Sequence, residues 1–184
     1  MRGGFVSKPT KREFRALQTL FYSVRGTCDR LRTATTLWSP EPENKPLGGG
    51  YNGAPSGVPS CDEVGHLMVE GHCVRTIHGE ENAILNCSNL EKLEGSTAVV
   101  LGTPCYKCAI KLVQVKIKKI EYYGTYANAQ GAEHIKELFL NAKIDWSCYP
   151  KEELLKFLQK GIGILQSPGG ALKDFPNEDF IFTR

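Results

Sequence analysis

Two short segments hold residues whose types and spacing could do chemistry together: His78-Gly79-Glu80 and Pro104-Cys105-Tyr106-Lys107-Cys108. Cys105 and Cys108 are three positions apart, so they lie on one side of a helical turn. Pro104 suits the first position of that helix, where a missing N–H costs nothing. A helix N-terminus also favours thiolate over thiol. Two thiolates and the imidazole of His78 are a natural ligand set for Zn²⁺, and three protein ligands leave the fourth tetrahedral position to water, as in a catalytic site. Glu80 supplies the remaining need. Water on zinc titrates near neutrality, and a carboxylate beside it can take the proton and deliver it elsewhere. Residues two apart on a regular helix point in different directions, so Glu80 is not a fourth ligand; the arrangement requires His78 to sit at an irregular helix entry.

Elements must exist to carry these groups. Thr10 and Glu13 have capping-box spacing, and Phe14, Leu17, Phe21 and Val24 recur on one face, which predicts a helix from Thr10 to Arg25. Thr33 to Trp38 is β-branched and aromatic and reads as a strand, with a turn from Ser39 to Pro46 and a return through Leu47 into Gly48-Gly49-Gly50. Residues 53 to 74 are rich in Gly, Pro, Ser and Cys and read as a long ordered loop, a kind that is usually functional or pinned. The second half alternates. Helices are expected at His78–Leu90, Cys105–Val115 and Gly131–Asn141, and strands at Ser96–Leu101, Lys118–Tyr123 and Ile144–Ser147. This alternation indicates an α/β layer structure with parallel strand pairs. Glu152 to Leu158 could form one more helix, and the tail beyond Gly161 reads as irregular.

The chain has 184 residues, 41% hydrophobic and 23% charged, the balance of a soluble globular protein rather than a disordered one. No apolar run approaches the roughly 20 residues that would span a bilayer. The first residues lack a secretory apolar core, so the expected location is cytoplasmic. The net charge of +3 is too small to argue for a nucleic-acid partner. Lys107, Lys111, Lys116, Lys118 and Lys119 could attract phosphate, though such a run is ordinarily a solvated face. The cysteines, at 28, 61, 73, 87, 105, 108 and 148, number seven and are dispersed, which favours metal binding over a disulfide framework. Cys87 and Cys148 read as core residues.

Taken alone, Cys-x-x-Cys could be a redox pair or half of a zinc ribbon, but the second Cys-x-x-Cys of a ribbon is absent. The order His-x-Glu, strand, Pro-Cys-x-x-Cys is instead the pattern of zinc deaminases, with His/Cys/Cys on the metal and Glu as acid and base. From about residue 10 to 145 the sequence resembles the deoxycytidylate deaminase family of the cytidine deaminase-like superfamily. Beyond the zinc pattern, the resemblance rests on Gly50-Tyr51-Asn52-Gly53-Ala54-Pro55-Ser56-Gly57 and Gly71-His72-Cys73-Val74-Arg75-Thr76-Ile77-His78.

The resemblance implies a three-layer α/β/α cytidine deaminase-like fold with a five-stranded mixed sheet. The chain would be a single domain, with a core of about 10–148 and a C-terminal extension of about 149–184. It implies conversion of dCMP to dUMP and ammonia, feeding thymidylate synthesis, with water attacking C4 of the base while Glu80 protonates N3. His78, Cys105 and Cys108 would hold the catalytic zinc, Asn52 would contact the nucleoside, Arg25 would lie near the phosphate and Tyr126 would close over the substrate. Relatives form homo-oligomers, dimers or hexamers, and often respond to dCTP and dTTP with Mg²⁺. Some carry a second, structural zinc at positions like Cys28 and Cys61; Cys73, His72 or His66 could complete it here, the alternative being three free buried thiols.

Three positions depart from the family pattern. Gly79 stands where Ala is usual, a minor steric change. Glu81 stands where Gln, Leu or Met is usual; facing the site it would disfavour a phosphorylated substrate, and in the first turn of a helix it would otherwise point to solvent. Ala127 replaces a basic residue after the closing aromatic. Rival readings are a deaminase of another nucleoside, free base or RNA adenosine, and a non-catalytic relative acting in DNA uptake or protein binding.

Overall fold

The computed structural model describes residues 7–126 and 131–174. Its frame is a five-stranded mixed sheet of order β2-β1-β5-β6-β7. The strands are β1 (Ala34–Trp38), β2 (Pro46–Tyr51), β5 (Thr97–Leu101), β6 (Lys119–Tyr123) and β7 (Asp145–Tyr149). β1 pairs antiparallel with both β2 and β5, and β5, β6 and β7 are mutually parallel, as the alternation of strands and helices requires. β1 is buried along its whole length, so its Ala-Thr-Thr-Leu-Trp is apolar or small on both faces.

Two helical layers follow from the two-residue period of the strands. Leu37, Ala98, Val100 and Ile120 face α3 (Gly79–Leu85), α4 (Tyr106–Gln114) and α5 (Ala132–Asn141), packing with Ala83, Leu112 and Phe139. Trp38, Val99 and Tyr123 face the other way, against Ala16 of α1 (Lys11–Ser23) and Leu154 and Phe157 of α6 (Glu152–Gln166). The capping box of α1 forms, with Thr10 Oγ1 accepting from the Glu13 N–H at 3.2 Å and Glu13 Oε2 accepting from the Thr10 N–H at 2.6 Å. α6 runs to Gln166, past the expected end at Leu158, and lies on α1. The extension thus supplies part of one layer, because Leu154 and Phe157 bury there whatever the polarity of the residues beyond them.

Under α1 lies a buried ionic group that pattern alone did not reveal. Arg15 Nη2 donates to Glu121 Oε1 at 2.9 Å and Arg15 Nη1 to Asn44 Oδ1 at 2.5 Å, with Lys119 Nζ also 2.9 Å from Glu121. Thr19 and Thr36 hydroxyls meet at 2.6 Å, and Trp38 Nε1 donates to Thr36 at 2.8 Å.

The loop 53–74 is structured by a short helix α2 (Cys61–Val64) and a small hairpin of β3 (Met68–Val69) and β4 (His72–Cys73). The predicted helix 78–90 divides into α3 and a 3₁₀ turn at Leu90–Leu93. Cys87 is half-buried beside the core, while Cys148 is exposed, contrary to expectation, because β7 is an edge strand. Among the described residues no helix is long and apolar enough to cross a membrane.

Candidate active site

The zinc-ligand candidates stand at helix entries. His78 is the N-cap of α3, with extended backbone at φ −69° and ψ 151°, and Cys105 is the N-cap of α4, at φ −74° and ψ 161°. Pro104 therefore precedes the cap instead of occupying the first helical position. Because His78 lies outside the helix proper, helical spacing does not separate its side chain from that of Glu80. Cys108 falls in the first turn of α4, facing the same way as Cys105.

α3 is held by an unusually close approach to β2. A side chain at Gly50 would put its Cβ 2.5 Å from the Asn82 carbonyl carbon and against the Ala83 nitrogen, and one at Gly48 would put its Cβ 2.7 Å from the Ala83 oxygen. Amide side chains then stitch the two together. Asn52 Oδ1 accepts the Gly79 N–H at 2.8 Å, Asn82 Nδ2 donates to Tyr51 O at 3.0 Å and Asn86 Nδ2 to Gly49 O at 2.9 Å. At Gly79 itself an added Cβ would sit 3.1 Å from Ala34 Cα, so glycine eases the packing of the first turn on β1.

His78 Nδ1 lies 3.6 Å from Cys105 Sγ and 3.5 Å from Cys108 Sγ, and all three atoms fall within 4.8 Å of one another. Tetrahedral zinc with bonds of about 2.0–2.3 Å spaces its ligand atoms roughly 3.6 Å apart, so this donor set fits the ion in both chemistry and spacing. The Cys108 thiol hydrogen-bonds Cys105 and, with His78, holds the Cys105 thiol down to about 4. The Cys108 thiol is pushed up, first by its hydrogen bond with Cys105 and then by burial. The hydrogen bond to Cys105 in turn raises the His78 imidazole.

These residues open into a cavity of about 320 Å³, the size of a small-ligand site. Glu80 lines it and is buried, and burial pushes its carboxyl upward. A carboxyl so placed can exchange a proton with a ligand in the cavity. Asn52 and Tyr126 also line the cavity, Tyr126 with its N–H 3.3 Å from Thr103 Oγ1. Asn52 is largely committed to the fold, since Nδ2 donates to Leu31 O at 3.2 Å; one amide proton remains for a ligand. Arg25, exposed just beyond α1, is not among the lining residues, whereas Arg30, Lys107 and Lys111 are. Helical spacing brings Lys107 and Lys111 to one face, a cue available in the sequence; Arg30 sits in a loop and gave no such cue. The other lysines of that run are used elsewhere, Lys116 on Glu94, Lys118 on the Lys143 carbonyl and Lys119 on Glu121. Glu81 lines the cavity and remains partly exposed. Ala127 lies outside the described residues.

A second cluster pins the 53–74 loop. Cys28, Cys61, His66 and Cys73 bring their donor atoms within 4.8 Å of one another. Cys28 Sγ is 3.7 Å from His66 Nδ1, and the Cys61 and Cys73 sulfurs are 3.5 Å apart. His72 lies outside the cluster and, like Cys73, lines the cavity. His66 Nε2 is 3.0 Å from Asp29 Oδ1, a carboxylate of the kind that fixes the ring of a metal-binding histidine. Burial, with hydrogen bonds from Cys73 and Cys28, pushes the Cys61 thiol up to about 12. At Cys73 burial acts upward too, but the Arg75 N–H and Cys61 outweigh it and hold that thiol down to about 7. Cys28 and Cys73 line the cavity as well, so the two clusters share a wall.

Comparison with known proteins places this geometry. ComE operon protein 2 of Bacillus subtilis is 35% identical over 121 residues, covering 65% of this chain and 62% of that protein. The deoxycytidylate deaminase of Enterobacteria phage T4 is 33% identical over 147 residues, covering 58% of this chain and 75% of its own. The deoxycytidylate deaminase of Schizosaccharomyces pombe is 30% identical over 92 residues, only 28% of its length. The chain thus spans less than two thirds of several curated relatives. In fold it is similar to the dCMP deaminase of cyanophage S-TIM5, solved with dCMP and dUMP, at TM-score 0.59 and 20% identity over 77% of this chain and 98% of that one. Residues 16–124 match the family model of the cytidine and deoxycytidylate deaminase zinc-binding region, and with the His-Cys-Cys donor set in place the chain belongs to that deaminase family.

Proposed function

We propose that this chain hydrolytically deaminates a cytosine nucleotide, converting dCMP to dUMP and ammonia. The observation that carries the reading is the buried Glu80 carboxyl opening into the same cavity as the His78, Cys105 and Cys108 donors. The deoxycytidylate deaminases among its relatives support the choice of substrate. His78, Cys105 and Cys108 would hold zinc, which when bound would supply a water of lowered pKa at neutral pH. The chain's own groups do the rest. Glu80, next to that position, donates a proton to N3 of the ring as C4 is attacked, then relays the proton of the attacking water to the leaving amine, so that ammonia departs and the carbonyl forms. Asn52 holds the sugar through its remaining amide proton, Tyr126 closes the mouth, and Arg30 and Lys107 face the phosphate.

Cys28, Cys61, His66 and Cys73 hold a second, structural zinc in the same reading. Their spacing fits tetrahedral ligation, and tying the hairpin to the loop before β1 gives the metal a purpose. Metal analysis of the intact protein then gives two zinc ions per chain; one would reject the second site. A cytoplasmic homo-oligomer, dimer or hexamer, with dCTP and dTTP as effectors together with Mg²⁺, belongs to the same reading.

Glu80→Ala tests the assignment. The variant keeps its zinc and loses at least about 10²–10⁴-fold in turnover of dCMP. Substantial dCMP deamination by it rejects the role of Glu80. The second reading, a non-catalytic binding protein, draws on the relative named for the ComE operon; failure of the zinc-loaded wild type on dCMP, CMP, deoxycytidine, cytosine and an adenosine-containing RNA would favour it.

A further inference from the structure

The cavity mouth carries an ion pair that the chemistry above leaves unused. Glu81 Oε2 lies 2.6 Å from Lys111 Nζ, the two side chains being 39% and 43% exposed, and both residues line the cavity. Lys111 follows Cys108 by three positions within α4 and so stands on the face that presents that zinc-ligand candidate, one turn further along, while Glu81 lies in the first turn of α3, just past His78. The pair therefore closes the seam between α3 and α4 directly beside the donor set. It also changes the charge that a substrate meets. Among the described residues, Arg30, Lys107 and Lys111 are the cationic side chains that line the cavity. Arg30 spends one guanidinium contact on the Gly71 carbonyl, at 3.2 Å, and keeps its other donors. Lys107 has no ion-pair partner among the described residues. Lys111 alone is neutralised, by Glu81.

We propose that Glu81 is a specificity-determining residue: by holding Lys111 it withdraws one cation from the cavity mouth and so weakens the preference of the site for a phosphorylated nucleotide over its nucleoside. The inference rests on the cytosine-nucleotide reading and adds to it a residue that sets the choice between dCMP and deoxycytidine. The pair is partly exposed, so the effect is modest and falls with ionic strength.

The test compares zinc-loaded wild type, Glu81→Gln, Lys111→Met and the double variant, measuring kcat/KM for dCMP and deoxycytidine and the calorimetric affinity of each compound. Glu81→Gln raises the dCMP:deoxycytidine ratio about threefold, chiefly through KM for dCMP, by freeing Lys111. Lys111→Met lowers the ratio about threefold, because Glu81 is left uncompensated before the phosphate. The double variant returns near the wild-type ratio. Single variants that change both substrates alike, or leave the ratio unmoved, overturn the proposal and reduce the pair to a brace between helices. The binding ratio reports without turnover: a wild type that binds both compounds and converts neither rejects the deaminase reading while the charge inference is judged on affinities, and one that binds neither rejects both.

Discussion

Replacing Gly50 by alanine tests the claim that a bare strand under α3 positions the zinc-ligand candidates. The new Cβ would lie 2.5 Å from the Asn82 carbonyl carbon and 2.7 Å from its Cβ. Carbon atoms rest at about 3.5 Å or more, so α3 must retreat by roughly 1 Å. Overpacking of this kind costs about 1–3 kcal/mol. The narrower unfolded ensemble of alanine returns about 0.4–1 kcal/mol, leaving a net loss near 2 kcal/mol at the upper part of the range. For a chain of this size that lowers Tm by about 4–8 °C. The larger consequence falls on His78 at the N-cap, since a zinc site tolerates errors of only about 0.2 Å in its ligand distances. Zinc affinity should fall by an order of magnitude or more, measured by competition with a chromophoric chelator alongside thermal unfolding followed by circular dichroism. Gly163→Ala is the control. It lies inside α6 with nothing within 4 Å of an added Cβ, and should raise stability by up to about 1 kcal/mol. A Gly50→Ala protein with wild-type Tm and zinc affinity would refute the reasoning.

Glu121→Ala leaves the Arg15 guanidinium buried without its carboxylate, at a cost of about 3–5 kcal/mol, so Tm should drop by roughly 10 °C in the same unfolding scan; a change under 2 °C would show that the pair is dispensable. The Glu13 carboxyl feels burial upward, but the Lys160 ammonium at 2.9 Å and the Thr10 N–H outweigh it and hold it below its ordinary value of 4.5. A depressed carboxyl contributes stability that is present above its unfolded value and lost as pH falls through the folded one. Lys160→Met should therefore cost about 0.5–1 kcal/mol in urea titrations at pH 6 and progressively less below pH 4.5, and a constant difference down to pH 3 would contradict the assignment.

How legible the molecule was depends on the range of the interaction. The zinc-ligand candidates could be found because Cys105 and Cys108 share one helical turn and His78 and Glu80 share one helix entry. The alternating strands and helices likewise imposed the parallel β5-β6-β7 block. Legibility ended where partners are distant in the chain. His66 rather than His72 joins Cys28, Cys61 and Cys73, because the folded loop brings residues from three separate segments together, which spacing does not encode. Arg15 and Glu121, 106 residues apart, look like surface charges until α1 is laid across the sheet. Arg30 enters the cavity and Arg25 does not, because the loop after α1 carries them to different places.

Local chemistry in the sequence therefore determined that this chain would present an imidazole, two thiols and a carboxyl at two helix entries. Only the tertiary structure decided that Gly48 and Gly50 let α3 reach the sheet and hold those groups together, that α6 completes a layer, and that Glu81 meets Lys111 at the cavity mouth. The physical reason is that ligand type and capping act within a turn of chain, whereas close packing and charge pairing depend on which surfaces meet once the sheet has formed.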